Sequence, residues 1–166
     1  MGSRCAIGDT VMSETLSGIR IDIGSGAATR PGWVGLDNRG HPAVTHVWDL
    51  EQMPWPLADR CAVQVYAGHV VARINPARFG FIWFMNEVWR VLQPGCEFLI
   101  TTYYGVGTRY IGDAAACNPV NESTFYSFDP VHKSGLWHVY QPQPWQICDM
   151  SWVVEGNIEV LLRKRS

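Results

Sequence analysis

The sequence predicts an α/β sandwich whose sheet is mostly parallel and ends in an antiparallel C-terminal hairpin. Three observations point there. Five short apolar runs are each bounded by Gly, Pro or Asp, one amphipathic helix lies near the middle of the chain, and two alternating runs close it around Glu155-Gly156-Asn157. At 166 residues the whole chain, 1–166, is expected to form a single domain, since domains span roughly 100–200 residues. A chain of this length buries enough surface to fold without a metal or disulfide staple.

In chain order, residues 1–17 show little pattern and read as an N-terminal arm, frayed or folded as a short covering helix. The apolar runs Ile19–Ile23, Trp33–Asp37, Val44–Trp48, Ala62–Ala67 and Glu97–Thr101 follow. Their length and branched content favour strands, and their near-continuous apolarity predicts cover on both faces, as in a parallel sheet. A helix is expected from about Pro76 to Leu92: proline suits its first turn and Pro94-Gly95 stops it. Phe81, Phe84, Met85, Val88, Val91 and Leu92 share one face at the helical period and are assigned to the core. The opposite face carries Asn86, Arg90 and Gln93, but also Phe79, Ile82 and Trp83. An outward Phe79/Trp83 pair is not needed for folding, so it is read either as partly covered by a neighbouring loop or as a homodimer contact. Residues 102–145 hold no clean period apart from a short helix expected within Asn121–Phe128. A loop that long usually carries function, and it is assigned as a substrate lid. The runs Gln146–Val154 and Ile158–Leu162 form the hairpin, with Gly and Asn in the turn tolerating positive φ.

The charge balance of 13 Lys and Arg against 15 Asp and Glu, net −2, argues against stable nucleic-acid binding through a basic stripe. Five cysteines, an odd number without a C-x-x-C pair or a Cys/His cluster, indicate neither a disulfide framework nor a metal site. Neither a signal peptide nor a membrane span is read, so a soluble, cytoplasmic protein is expected.

The most informative segment is Ile21-Asp22-Ile23-Gly24-Ser25-Gly26-Ala27-Ala28-Thr29-Arg30-Pro31-Gly32. A strand running into Gly-x-Gly lets backbone approach a flat ligand, because no Cβ intervenes. The next strand ends at Asp37, a carboxylate on the rim where open α/β sheets bind ligands. Only nine residues separate Ile23 from Trp33, Pro31 and Gly32 among them. A parallel crossover normally takes a dozen or more residues. There is no room for the helix whose N-terminus would hold a pyrophosphate. Asp37 also follows Gly24 by 13 positions, short of the roughly 20 of a dinucleotide fingerprint. A phosphate-free adenosine ligand such as S-adenosylmethionine fits this loop better than NAD.

These segments, with Pro31-Gly32-Trp33-Val34-Gly35-Leu36-Asp37, His46-Val47-Trp48-Asp49-Leu50, Pro54-Trp55-Pro56-Leu57, Val65-Tyr66-Ala67-Gly68-His69-Val70 and Phe84-Met85-Asn86-Glu87-Val88-Trp89-Arg90-Val91-Leu92-Gln93-Pro94-Gly95, resemble class I S-adenosylmethionine-dependent methyltransferases. More closely, they resemble the short bacterial and phage group with an abbreviated first helix. The resemblance covers about residues 18–130 and implies a Rossmann-like class I methyltransferase sandwich. It implies that Gly24 and Gly26, with Ser25 between them, lie against the methionine part of the cofactor and that Asp22 orients the loop. It further implies Asp37 on the ribose hydroxyls, Asp49 on the adenine amino group, Leu50 against the ring, and Tyr66 to His69 around the methyl group. Two segments depart from the family pattern. Ala72-Arg73 stands where the family usually has Glu-His, and Asn118-Pro119-Val120-Asn121 replaces Asp-Pro-Thr-His.

Methyl transfer to an oxygen of high pKa would need a base, and His69 is the candidate at the carboxyl end of the fourth strand. His132 and His138 are weaker alternatives, and His41 and His46 are read as structural or exposed. Tyr103, Tyr104, Tyr110, Asn118 and Trp137 form a candidate neutral wall for a small, uncharged acceptor. The rival reading, from a different class, is a non-catalytic cofactor-binding or scaffold protein, phage-encoded, resting on the two altered segments and the Phe79/Trp83 pair. A third is an enzyme that degrades S-adenosylmethionine without any acceptor.

Overall fold

The computed structural model describes residues 17–153 and 156–166. The expected arm therefore lies almost wholly outside the described residues, as does part of the hairpin turn. Seven strands form one sheet in the order β3-β2-β1-β4-β5-β7-β6. They are β1 (Ile19–Ile23), β2 (Val34–Asp37), β3 (His46–Val47), β4 (Ala62–Gly68), β5 (Leu92–Tyr103), β6 (Trp145–Val153) and β7 (Asn157–Lys164). The pairs among β1 to β5 are parallel. β7 runs antiparallel between β5 and β6. The expected strands are all present, and the predicted hairpin is β6–β7.

Helix α1 (Gly80–Val91) packs on one face. Phe81, Phe84, Met85, Val88 and Val91, with Leu92 just beyond it, are all buried against Ile21, Ile23, Val65, Ala67, Phe98 and Ile100. The helix starts later than Pro76 because Arg78 and Phe79 adopt left-handed backbone at φ 51° and 66°. A 3₁₀ turn at Ala77–Phe79 occupies the expected first turn. At its other end Lys164 on β7 donates from Nζ to the carbonyls of Trp89 and Leu92, both at 2.7 Å. A cation there complements the helix C-terminus.

The sheet is buried on one face and only half-covered on the other. Along β5, Cys96, Phe98, Ile100 and Thr102 are buried, whereas Glu97, Leu99, Thr101 and Tyr103 are of intermediate exposure. The two-sided cover expected from the apolar runs is therefore seen only toward the ends of β1 and β2, where Ile21 to Ile23 and Gly35 to Asp37 are buried in succession, and not along β5. The reason is chemical: that second face carries Glu97 paired with Arg163 at 2.8 Å and Thr101 bonded to Glu159 at 3.3 Å, polar groups that belong near water.

Residues 48–61, between β3 and β4, contain no helix and are tied to α1 by side chains. Glu87 accepts from the Trp55 amide at 2.6 Å, while Arg90 donates to Glu87, Asp59 and the Leu57 carbonyl. Arg90, read from periodicity as outward, is thus half-buried in a network. The region 102–145 carries α2 (Thr108–Gly112), α3 (Glu122–Tyr126) and α4 (Trp137–Tyr140). Asn121 caps α3 with a capping box that includes Thr124.

Candidate functional site

The strands β1, β2 and β4 end together along one rim of the sheet, and a cavity of about 570 Å³ opens there. That size suits a small organic ligand. Its walls come from Gly24 and Gly26 after β1, Asp37 to Arg39 after β2, Asp49 to Glu51 after β3, and Gly68 to Val70 with Arg73 and Ile74 after β4. Ala115 reaches in from the lid region.

The glycine loop has the shape its length dictates. A single 3₁₀ turn, Gly26–Ala28, stands where a full helix would not fit. Gly24 lies at φ +66°, and a Cβ there would sit 2.7 Å from the Val70 side chain. Gly26 lies at φ +52° with open space beside it. Its amide donates to Asp37 Oδ2 at 2.9 Å, and the Arg39 amide donates to Oδ1 at 2.8 Å. Asp37 therefore sets the loop as well as facing the cavity, and each carboxylate oxygen retains a second acceptor direction. Asp49 is exposed, with Oδ1 accepting from the Glu51 amide at 3.0 Å, and Leu50 beside it is buried. Glu51 Oε1 in turn accepts from the Asn75 amide at 2.6 Å.

At the β4 end, His69 takes left-handed backbone at φ 58° and donates its amide to the Thr101 carbonyl at 2.7 Å. Histidine is among the residues that tolerate left-handed backbone, and here that backbone turns the chain at the rim of the cavity. Its ring lies 4.7 Å, centre to centre, from that of Tyr103. Nδ1 is buried and has no hydrogen-bond partner. Burial, reinforced by the charges of Arg109 and Arg73, holds the imidazole below the usual histidine range and so neutral near neutral pH. Arg73 donates from Nε and Nη2 to Asp113 Oδ2 at 3.1 and 2.9 Å.

Of the residues singled out in the sequence, Gly24, Gly26, Asp37, Asp49, Leu50 and His69 line this one cavity. The others are placed elsewhere. Asp22 is buried behind the loop, its Oδ2 accepting from the Arg30 amide at 3.0 Å, and burial raises its pKa. Ser25 Oγ accepts from Thr29 Oγ1 at 2.8 Å, and both oxygens pack where a Gly35 Cβ would otherwise be. Tyr66 is covered by the Arg30 guanidinium rather than facing the cavity. Asn118 is a clasp: it is 4% exposed and donates from Nδ2 to the Val71 carbonyl at 3.1 Å. Tyr103 meets the site only through His69. Tyr104 turns away, donating to Glu122 at 3.2 Å and packing on Trp152. His132 stacks on Tyr126 at 3.7 Å and His138 is exposed on α4.

Asn38, Arg39, Glu51, Val70 and Ile74 also line the cavity and were not singled out. Asn38 and Arg39 follow Asp37 and Val70 follows His69, a local signal since residues after a strand's carboxyl end line such rims, whereas Glu51 and Ile74 stand several residues beyond β3 and β4 and carried none. Among the described residues, no helix is long and apolar enough to cross a membrane.

No protein-family model and no curated protein matches the sequence. Solved structures match through the fold. An S-adenosylmethionine-dependent methyltransferase from Mesorhizobium loti aligns at TM-score 0.63 and 11% identity, over 88% of this chain and 90% of its own. The 1,6-didemethyltoxoflavin-N1-methyltransferase of Burkholderia thailandensis, solved with 1,6-didemethyltoxoflavin and S-adenosylhomocysteine, aligns at 0.61 and 12%, over 90% and 72%. The [4+2]-cyclase SpnF aligns at 0.58 and 12%, over 90% and 75%. At such identities the likeness is one of fold, and the fold is the Rossmann-like one of class I S-adenosylmethionine-dependent methyltransferases.

Proposed function

We propose that this protein is an S-adenosylmethionine-dependent methyltransferase acting on a small, uncharged acceptor, with the cofactor in the cavity at the ends of β1, β2 and β4. The observation that carries this reading is the convergence of Gly24, Gly26, Asp37, Asp49, Leu50 and His69 on that single cavity. The residues fit the cofactor. Gly24 lets the loop pack directly on Val70, Gly26 leaves open space for a ligand beside the bend, and Asp37 offers two acceptor oxygens already oriented by backbone amides. Those oxygens would take the two ribose hydroxyls, charge-assisted bonds that fix the sugar. Asp49 would accept from the adenine amino group while Leu50 covers the ring.

Bound S-adenosylmethionine supplies a methyl group activated on a sulfonium. The chain's own part is to orient the acceptor in line and to receive its proton. His69 suits the second task. It lines the cavity, and burial holds it in the neutral form, the form that can take a proton from an acceptor hydroxyl. The charge of Arg73 beside it is answered by Asp113. That pairing favours an uncharged acceptor over an anion. Calorimetric titration with S-adenosylhomocysteine tests the cofactor site: the expected result is one-to-one binding at or below millimolar concentration. No binding would end the proposal.

One observation favours the second reading, a non-catalytic cofactor-binding or scaffold protein. The two segments that depart from the family pattern bond to each other: the Cys117 and Asn118 amides both donate to the Ala72 carbonyl at 2.9 and 3.0 Å. Through Ala72, Cys117 and Asn118 they clasp the lid to the turn after β4, and only Arg73 of the two segments lines the cavity. Phe79 and Trp83, 57% and 54% exposed, would then be the interface between copies. Cofactor binding without turnover across an acceptor panel, and a dimer that dissociates on Trp83→Ala, would select this reading.

A further inference from the structure

A loop containing two positive-φ glycines and no helix needs something else to hold its shape. Glycine carries the most backbone freedom of any residue, so an untethered Gly24–Gly26 bend would sample many forms and binding would have to order it. Asp37 holds the near side of the bend through the Gly26 amide, and the residue placed to hold its far side is Arg30. Its guanidinium carbon lies 3.3 Å from the centre of the Tyr66 ring and 5.4 Å from that of Trp33. Its backbone amide donates to Asp22 Oδ2 at 3.0 Å, and its Nη1 stands 3.8 Å from Oδ1 of the same carboxylate. Nη1 is buried and makes no hydrogen bond. Ring contact and the Asp22 charge are therefore what hold that end of the side chain. Asp22 and Tyr66 are direct partners across the β1–β4 ladder. Arg30 thus lays the loop across two strands at once, beside the cavity but outside its lining.

We propose that Arg30 is a positioning residue: pinned on Tyr66 and Asp22, it holds the Gly24–Gly26 bend in its ligand-ready form in place of the helix this connection is too short to contain. The proposal rests on the cofactor reading above. It also accounts for two residues that sequence reasoning assigned to the site and that do not line it. Asp22 and Tyr66 act through Arg30 on the loop.

Hydrogen exchange in the ligand-free protein and titration with S-adenosylhomocysteine separate the two ideas. In Arg30→Met the amides of Gly26 and Ala28 should exchange about two- to fivefold faster, the loss expected of a part-exposed cation–ring contact, while amides of β5 and β7 keep their rates. Affinity for S-adenosylhomocysteine should fall by a similar factor. Tyr66→Phe, which keeps the ring, should retain wild-type protection of the loop. Tyr66→Leu should reproduce Arg30→Met, and the double variant should be no worse than either. The proposal is overturned by unchanged loop exchange in Arg30→Met, by exchange that rises uniformly through the sheet, or by undiminished affinity in a variant whose loop has loosened. Should the unaltered protein take up no S-adenosylhomocysteine, the cofactor reading fails by itself. The exchange measurements still decide whether Arg30 holds the bend.

Discussion

Two connections leave the same rim of the sheet and return to a neighbouring parallel strand, yet they are built on opposite principles. Between β4 and β5 the chain makes α1, which buries Phe81, Phe84, Met85, Val88 and Val91. Between β1 and β2 it makes one 3₁₀ turn with no buried residue. The first connection stabilises the fold through apolar area. The second contributes little burial and is shaped by single polar contacts, Gly26 to Asp37, Arg30 to Asp22 and Thr29 to Ser25. On the proposed cofactor site, stability and ligand binding are therefore carried by different parts of the molecule, and substitutions should separate them.

The largest expected effect is on the helical side. Phe84→Ala empties a fully buried site that touches Trp55, Phe81 and Phe98. It should cost about 3–5 kcal/mol in urea denaturation, with affinity for S-adenosylhomocysteine unchanged wherever the variant is folded. On the loop side the pattern should invert. Asp37→Ala should weaken that affinity by about 1.5–3 kcal/mol, the range for bonds to a charged group, and unaltered calorimetry would remove Asp37 from the ribose. Gly24→Ala puts a side chain at φ +66° against Val70. Left-handed backbone costs a non-glycine residue roughly 1–2 kcal/mol, a loss that should show in ligand affinity more than in the urea midpoint.

The smallest effect is one of pH. His69 is held below its unfolded value of 6.5. Between the two values the unfolded chain binds the extra proton. Its contribution to stability is therefore complete above pH 6.5 and is lost as pH falls through the lowered value. Urea midpoints of the unaltered protein and His69→Gln should diverge only on that acid side, the unaltered protein losing stability there and the variant not. If His69 is the base, kcat/KM should stay level through the ordinary histidine range and drop only below it.

The same contrast explains what could be read from the chain alone. The buried face of α1 was legible because burial follows a period of 3.6, and Phe81 through Leu92 obey it. Gly24, Gly26, Asp37 and Asp49 were legible because strand ends and glycine spacing are local signals. Arg90 was misplaced outward because its partners Glu87, Asp59 and Leu57 meet it only once the 48–61 segment has folded back. Asn118 looked like a substrate contact because a polar residue in a long loop carries no mark of the carbonyl it will bind, here that of Val71. The left-handed pair Arg78-Phe79 had no glycine to announce it. Local chemistry was visible, and tertiary bonding was not.

β7 has a consequence for how the molecule comes into being. It follows every other strand in the chain, yet it occupies an inner place in the sheet, with Ile158, Val160 and Leu162 sealed in the interior and Lys164 latched to the last carbonyls of α1. A nascent polypeptide still lacking it would present β5 with an unsatisfied edge and α1 with an unanchored tail. The sheet from β3 to β5 is therefore expected to gain its full pairing, and α1 its cation, only once β7 has been made.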